Sequence, residues 1–145
     1  MKNTFFYLFF SFLFISCKTE IKPSDISKIN GYWEIEKVIL ASGEKKEYKI
    51  SETIDFFELR QTQLDKQFSG FRKKVTPQID GKYLVNDVSE SIAITFENSD
   101  YVINYKTQYL SWKEEILELQ DSVLVLKNKE NVVYHYKKSI PFSLK

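Results

Sequence analysis

Ser91-Ile92-Ala93-Ile94-Thr95-Phe96-Glu97, then Asn98-Ser99-Asp100, then Tyr101-Val102-Ile103-Asn104-Tyr105-Lys106: two alternating runs meet across three turn-forming residues. Successive side chains of a strand point to opposite faces. Ile92, Ile94 and Phe96 therefore share one face, and Ala93, Thr95 and Glu97 the other. Asn, Ser and Asp bond to their own backbone and tolerate tight turns. The stretch is predicted to be a β-hairpin.

The same pattern extends along the chain. Strands are expected over residues 31–40, 53–60, 71–79, 82–85, 112–119, 123–127 and 132–137. In the third of these, Phe71, Val75, Pro77 and Ile79 should lie on one face. Asp80-Gly81 is a two-residue hairpin signal, since Gly accepts positive φ. Pro77 cannot donate to a ladder, so it belongs at an edge or a bulge. Residues 61–67 fit a loop or a helical turn. No repeat of twenty to fifty residues appears. The fold class is all-β: an antiparallel up-and-down meander of eight or nine strands. Closure into a barrel removes the sheet edges, and an eight-stranded barrel encloses side chains or one small ligand.

The 145 residues suit one domain plus a short leader, and aromatics are abundant at 16%. Aromatic residues favour a pleated, half-buried surface. The formal net charge is +1, and the leader carries Lys2 but no acid. Nucleic-acid binding needs a basic excess that is missing here. The clusters Lys45-Lys46 and Arg72-Lys73-Lys74 are expected to be solvated, as are Asp55 and Glu58 beside Phe56-Phe57. A single Cys permits no internal disulfide.

The chain starts Met1-Lys2-Asn3, followed by an apolar run from Phe5 to Ile15 broken by Ser11. A membrane-spanning helix needs about twenty residues, so the run reads as a signal peptide. It ends Leu13-Phe14-Ile15-Ser16-Cys17, which resembles a lipobox, with Phe14 where Leu is usual. The expected organisation is a removed signal peptide over 1–16, then a lipidated Cys17 and tether over 17–28. A barrel over 29–138 and a tail over 139–145 follow. Within the tether, Ser24 or Asp25 is placed to cap one helical turn over Ile26 to Ile29. Two or more acyl chains give stable anchoring. The expected location is the bacterial cell envelope, at the outer membrane, with the membrane as partner through Cys17.

Gly31-Tyr32-Trp33 resembles the Gly-x-Trp opening of lipocalins. Asn98-Ser99-Asp100-Tyr101 is similar to their second motif, Thr-Asp-Tyr, with Ser in place of Thr. Residues 116–127, followed by Val133-Tyr134-His135-Tyr136-Lys137, look like the end of bacterial lipocalin-like lipoproteins. The resemblance covers residues 29–138. It implies a lipocalin-like barrel with a helical turn before the first strand, Trp33 closing one end, and a cup for small apolar molecules. The Arg that packs over this Trp in lipocalins has no counterpart: Arg60 and Arg72 are the only arginines. Lys137 and Lys138 stand near the last strand, but Lys lacks a planar stacking surface.

Catalytic chemistry is poorly represented. His135 is the only His, lies between Tyr134 and Tyr136, and has no partner constellation in the sequence. Glu34 and Glu36 share a strand face, a pattern usual for solvent-facing positions. Glu114 and Glu115 should point to opposite faces. No phosphate loop, zinc spacing or calcium loop occurs. No enzymatic activity, cofactor or metal is expected. The aromatic residues are the remaining lead: Trp33, Phe56, Phe96, Tyr101, Tyr105, Trp112 and Tyr134 are candidate ligand-binding residues. The other reading is that they fill a small barrel solid. Two functions follow: an anchored barrel that binds a small apolar molecule, or an accessory envelope lipoprotein acting through protein contacts.

Overall fold

A computed structural model of the chain describes residues 20–49, 53–62 and 67–139. The leader, Cys17 and the tail beyond Ser139 lie outside the described residues, as does the segment 63–66 within the expected loop.

Nine strands form one antiparallel sheet: β1 (Gly31–Ile39), β2 (Lys45–Glu47), β3 (Ile54–Gln61), β4 (Phe68–Pro77), β5 (Tyr83–Glu97), β6 (Asp100–Lys106), β7 (Ser111–Leu119), β8 (Val123–Asn128) and β9 (Val133–Lys138). Neighbours follow chain order from β3 to β9, and β1 pairs with β9 to close the ring. Eight strands make the barrel, and β2 adds to it. One edge of β1 serves two partners, β3 along Gly31 to Trp33 and β2 along Lys37 to Ile39.

Two departures from the sequence reading concern this sheet. The runs expected at 82–85 and 91–97 are one fifteen-residue strand, β5. Between them, Ser89 and Glu90 pair with Lys73 and Arg72, and Asn86 to Val88 fall in the register shift between Lys73 and Val75. The short strand β2 had no apolar pattern to announce it; all three of its residues are exposed.

The turns follow backbone chemistry. Asn98 and Ser99 both take positive φ, 51° and 72°, as a type I′ hairpin turn requires. At the β4–β5 tip, Gln78 N–H donates to Lys82 O at 2.8 Å, and Gly81 has φ 79°. The loop there is three residues, one more than Asp80-Gly81 suggested. Tyr83 stacks on Tyr32 with centroids 4.3 Å apart. Tyr32 lies 4.7 Å from Phe56, and Phe56 lies 6.2 Å from Phe71, so the four rings form a strip.

A 3-10 helix, Pro23–Ile29, precedes β1. The Asp25 carboxylate accepts the Lys22 N–H at 2.9 Å and so holds its first turn. With three residues per turn, Ile26 and Ile29 fall on one side, and both are fully buried. Residues 23–28, expected to be tether, are therefore part of the domain and plug one end of the barrel. Past the β1–β3 ladder, Asn30 clips on to β3: its Nδ2 donates to Leu59 O, and its Oδ1 accepts the Leu59 N–H. Opposite Leu59, Gly70 lets β3 and β4 approach; a Cβ built there would lie 1.8 Å from Glu58 O.

Candidate functional site: a two-part barrel interior

Strand alternation sends Trp33, Phe57, Leu59, Ile92, Ile94, Ile103, Ile116, Leu124 and Leu126 into one core cluster with Ile26 and Ile29. The cluster begins beneath the plug, at the closed end, and continues without a break to Tyr105 and Tyr136. Trp33 Nε1 donates to Ile29 O at 2.7 Å. Lys138 Nζ sits 4.2 Å from the Trp33 ring centre and donates to Lys28 O and Asn30 O at 2.8 and 2.5 Å. The cation capping the Trp is thus a lysine, and hydrogen bonds to the plug's last carbonyls do what a planar stack would otherwise do. Burial holds the Lys138 ammonium below the usual lysine range.

Further along the same inward faces, the interior changes character. Asp55 of β3, Arg72 of β4 and Glu114 of β7 are only 3%, 7% and 7% exposed. Arg72 Nε donates to Glu90 of β5. Its Nη1 lies 3.7 Å from Asp55 Oδ2 and 4.0 Å from Glu114 Oε2. Asp55 also accepts from Lys74 Nζ at 2.8 Å and from Tyr136 Oη at 3.2 Å. The guanidinium carbon stands 4.4 Å from the Tyr105 ring centre, and Tyr105 stacks on Trp112 at 5.0 Å. On the outer wall behind that stack lies a groove of about 430 Å³, lined by Ser91, Ala93, Asn104 and Lys113, which strand alternation sets opposite the inward Ile92 and Glu114.

The electrostatics follow from burial. Burial works against the Arg72 charge but is outweighed by Tyr105 and the carboxylates Glu90 and Asp55, so its pKa rises and it stays cationic. Burial pushes the Glu114 carboxyl up from the usual range. Burial, with the Glu114 charge nearby, pushes the Tyr105 phenol well up; burial and Asp55 do the same for Tyr136. Tyr105 Oη and Glu114 Oε2 are buried facing each other, and neither has a well-formed hydrogen-bond partner among the described residues. Most buried polar atoms in folded proteins have one.

The candidate ligand-binding residues scatter. Tyr105 and Trp112 are in the polar half, and Tyr134, half-buried and packed against the core, is two residues from Tyr136 on the same face of β9. Trp33 is at the closed end. Phe96 is 65% exposed there, packed on Tyr101 at 4.9 Å. Phe56 belongs to the outer strip, because Asp55 and Phe57 take the inward positions of β3. Solvation of Asp55 and Arg72 is overturned: both are buried, paired with each other between the neighbouring strands β3 and β4. Glu114 and Glu115 do point apart; Glu115 pairs with Lys127 at 2.6 Å on the outside.

A sequence comparison matches residues 29–126 to the lipocalin-like domain. The chain belongs to the lipocalin-like domain family. Among solved structures, this lipocalin-like domain is similar to a lipocalin-like protein from Bacteroides uniformis ATCC 8492. Identity is 12%, 77% of this chain and 99% of that chain are covered, and the TM-score is 0.47. A comparison with curated proteins found no match.

The sequence reading passed over Asp55, Arg72, Glu90 and Glu114, although a signal was present. On its strand face, Glu114 lies between Trp112 and Ile116. Asp55 precedes Phe57 and Leu59, and Glu90 precedes Ile92 and Ile94, at the same two-residue spacing. A charged residue in line with apolar neighbours shares their face, and is buried with them where that face turns inward.

Proposed function

We propose that this lipocalin-like domain is a lipid-anchored lipoprotein of the bacterial envelope that binds a small, largely apolar molecule at the open half of the barrel. The observation that supports binding there is the division of the interior. The plugged half is filled by aliphatic side chains with Trp33 and Phe57. The other half gathers aromatic rings around buried polar groups, two of which, Tyr105 and Glu114, face each other without a well-formed hydrogen bond. Ligand sites typically combine apolar walls with a few placed polar groups. The anchor is supported by Cys17 at the end of the apolar leader.

The domain from residue 18 onward, expressed without its anchor, should carry an extra mass under native conditions that is lost on denaturation. A bare mass from an envelope-producing host would count against the ligand reading. Cys17→Ala should abolish labelling with a palmitate analogue in cells; retained labelling would remove the anchor. A second reading, action through protein contacts, is favoured by Ile79, Leu84 and Val88 near the β4–β5 tip and by Tyr109 and Leu110 at the β6–β7 turn. All five are strongly exposed. Cross-linking in cells from residue 84 or 109 should then capture one reproducible partner.

A further inference from the structure

We propose, resting on the reading of Cys17 as a lipid anchor, that the plugged end of the barrel lies against the bilayer and that Phe96 enters the headgroup boundary beside the tether. The first observation is reach. Glu20 is the third residue after Cys17, and three residues span at most about 11 Å, whatever course they take. Glu20, Ile21 and Pro23, on the way into the plug, line a groove of about 380 Å³ together with Phe96, Tyr101 and Ile116. Phe96 therefore stands where the chain leaves for its anchor.

The second observation is what this end exposes. Phe96 shares a strand face with Ile92 and Ile94, yet they are buried and it is 65% exposed, backed by Tyr101 at 4.9 Å. The turn residues Asn98 and Ser99, and Gln120 and Ser122 between β7 and β8, are exposed and uncharged. Lys28 is paired with Asp25 at 3.0 Å and Asp121 at 3.6 Å, and Lys138 is held by backbone carbonyls. An aromatic ring set among neutral polar groups and paired charges suits the boundary between headgroups and acyl chains. With no cationic excess there, a zwitterionic bilayer is sufficient.

Other surfaces fit the bilayer less well. The outer walls carry ion pairs, Lys113 with Glu97 at 2.8 Å, Lys127 with Glu115 at 2.6 Å and Lys137 with Glu34 at 3.0 Å, and charges enter apolar surroundings at high cost. The exposed apolar side chains at the opposite end are out of reach of an upright barrel. Leu84 is twelve residues from Phe96 along β5, up to about 40 Å. A barrel standing on its plug turns that rim to the aqueous side, where ligands and partners can meet it.

The test uses the full chain, processed and purified from bacterial membranes, in phosphatidylcholine nanodiscs with and without a nitroxide-headgroup lipid. Amide signals over residues 20–24 and 96–101 should lose intensity beside the nitroxide, while those over 79–85 and 107–110 keep theirs. Phe96→Ser should restore intensity over 96–101, and Phe96→Trp should not. Loss centred on 79–85 and 107–110, or spread evenly along the barrel, overturns the inference. Equal loss in the unaltered chain and Phe96→Ser overturns the role of Phe96. Shifts over 96–101 that grow with the number of copies per disc, without loss of intensity, assign the groove to a second copy and overturn the bilayer contact. The intact mass judges the anchor separately. A chain without acyl groups refutes the anchor and this inference with it; an acylated chain with another face beside the nitroxide refutes this inference alone.

Discussion

Lys138 at the last residue of β9 caps Trp33 near the start of β1, with its Nζ 4.2 Å from the ring centre. The two residues face each other in the β1–β9 ladder. The same ammonium holds the carbonyls of Lys28 and Asn30. One side chain thus joins the plug, the first strand and the last.

Lys138→Met should cost about 1–3 kcal/mol, because two carbonyls at the barrel end lose their donor. The check is a shift of the urea midpoint at unchanged slope. Lys138→Arg should recover most of the loss, since a guanidinium can reach both carbonyls and cover the ring. Equal loss for Met and Arg would show that the contact contributes little.

Glu114 sets a pH dependence with a definite sign. Its carboxyl titrates above the usual 4.5 in the folded chain, mainly through burial. The folded state keeps a proton that the unfolded state has released. Its contribution is therefore fully present below pH 4.5 and is lost as pH rises through the folded value. Relative to Glu114→Gln, the unaltered chain should lose stability from pH 4.5 toward neutrality. Parallel stability curves for the two proteins over this window would show that Glu114 titrates normally.

These buried acids show where the sequence ceased to be legible. Alternation located most strands to within a residue: β6, β7 and β8 start or end one position from expectation, whereas β4 starts three residues early, β5 joins two expected runs and β2 carried no pattern to read. It did not say which face of β3 turns inward. Ile54, Phe56 and Glu58 form one face and Asp55, Phe57 and Leu59 the other, each mixing apolar and acidic residues. The choice is made by neighbours in space, Arg72 and Tyr136 for Asp55. These pairings span 17 and 81 positions of sequence, beyond any local pattern. In β4, the register shift after Lys73 further hides that Arg72 points inward within a basic triplet.

Gly70 is a steric requirement. A Cβ there would overlap Glu58 O at 1.8 Å, and a backbone oxygen in a paired strand cannot swing aside. Gly70→Ala should destabilise by at least about 1–3 kcal/mol, the range for overpacking. Thermal unfolding reads this directly, and an unchanged midpoint would mean that β3 and β4 are further apart than described.

Tyr83 holds the β4–β5 tip against the outer wall by stacking on Tyr32. Tyr83→Ala should cost about 0.5–1.5 kcal/mol. It should speed amide exchange over residues 76–85 and leave the β7–β8 ladder protected. Uniform acceleration throughout the barrel would mean that the tip and the barrel open as one unit.

The pairing of β1 with β9 also governs the order of assembly. The ring cannot shut until Val133 to Lys138 have emerged, about a hundred residues after the strand they join. Contacts so distant in sequence slow folding. Until the last strand docks, β1 and β8 each present an open edge able to recruit a second copy. A chain stopped before Val133 should therefore self-associate, and the final strand acts as the seam that converts an adhesive sheet into a solitary barrel.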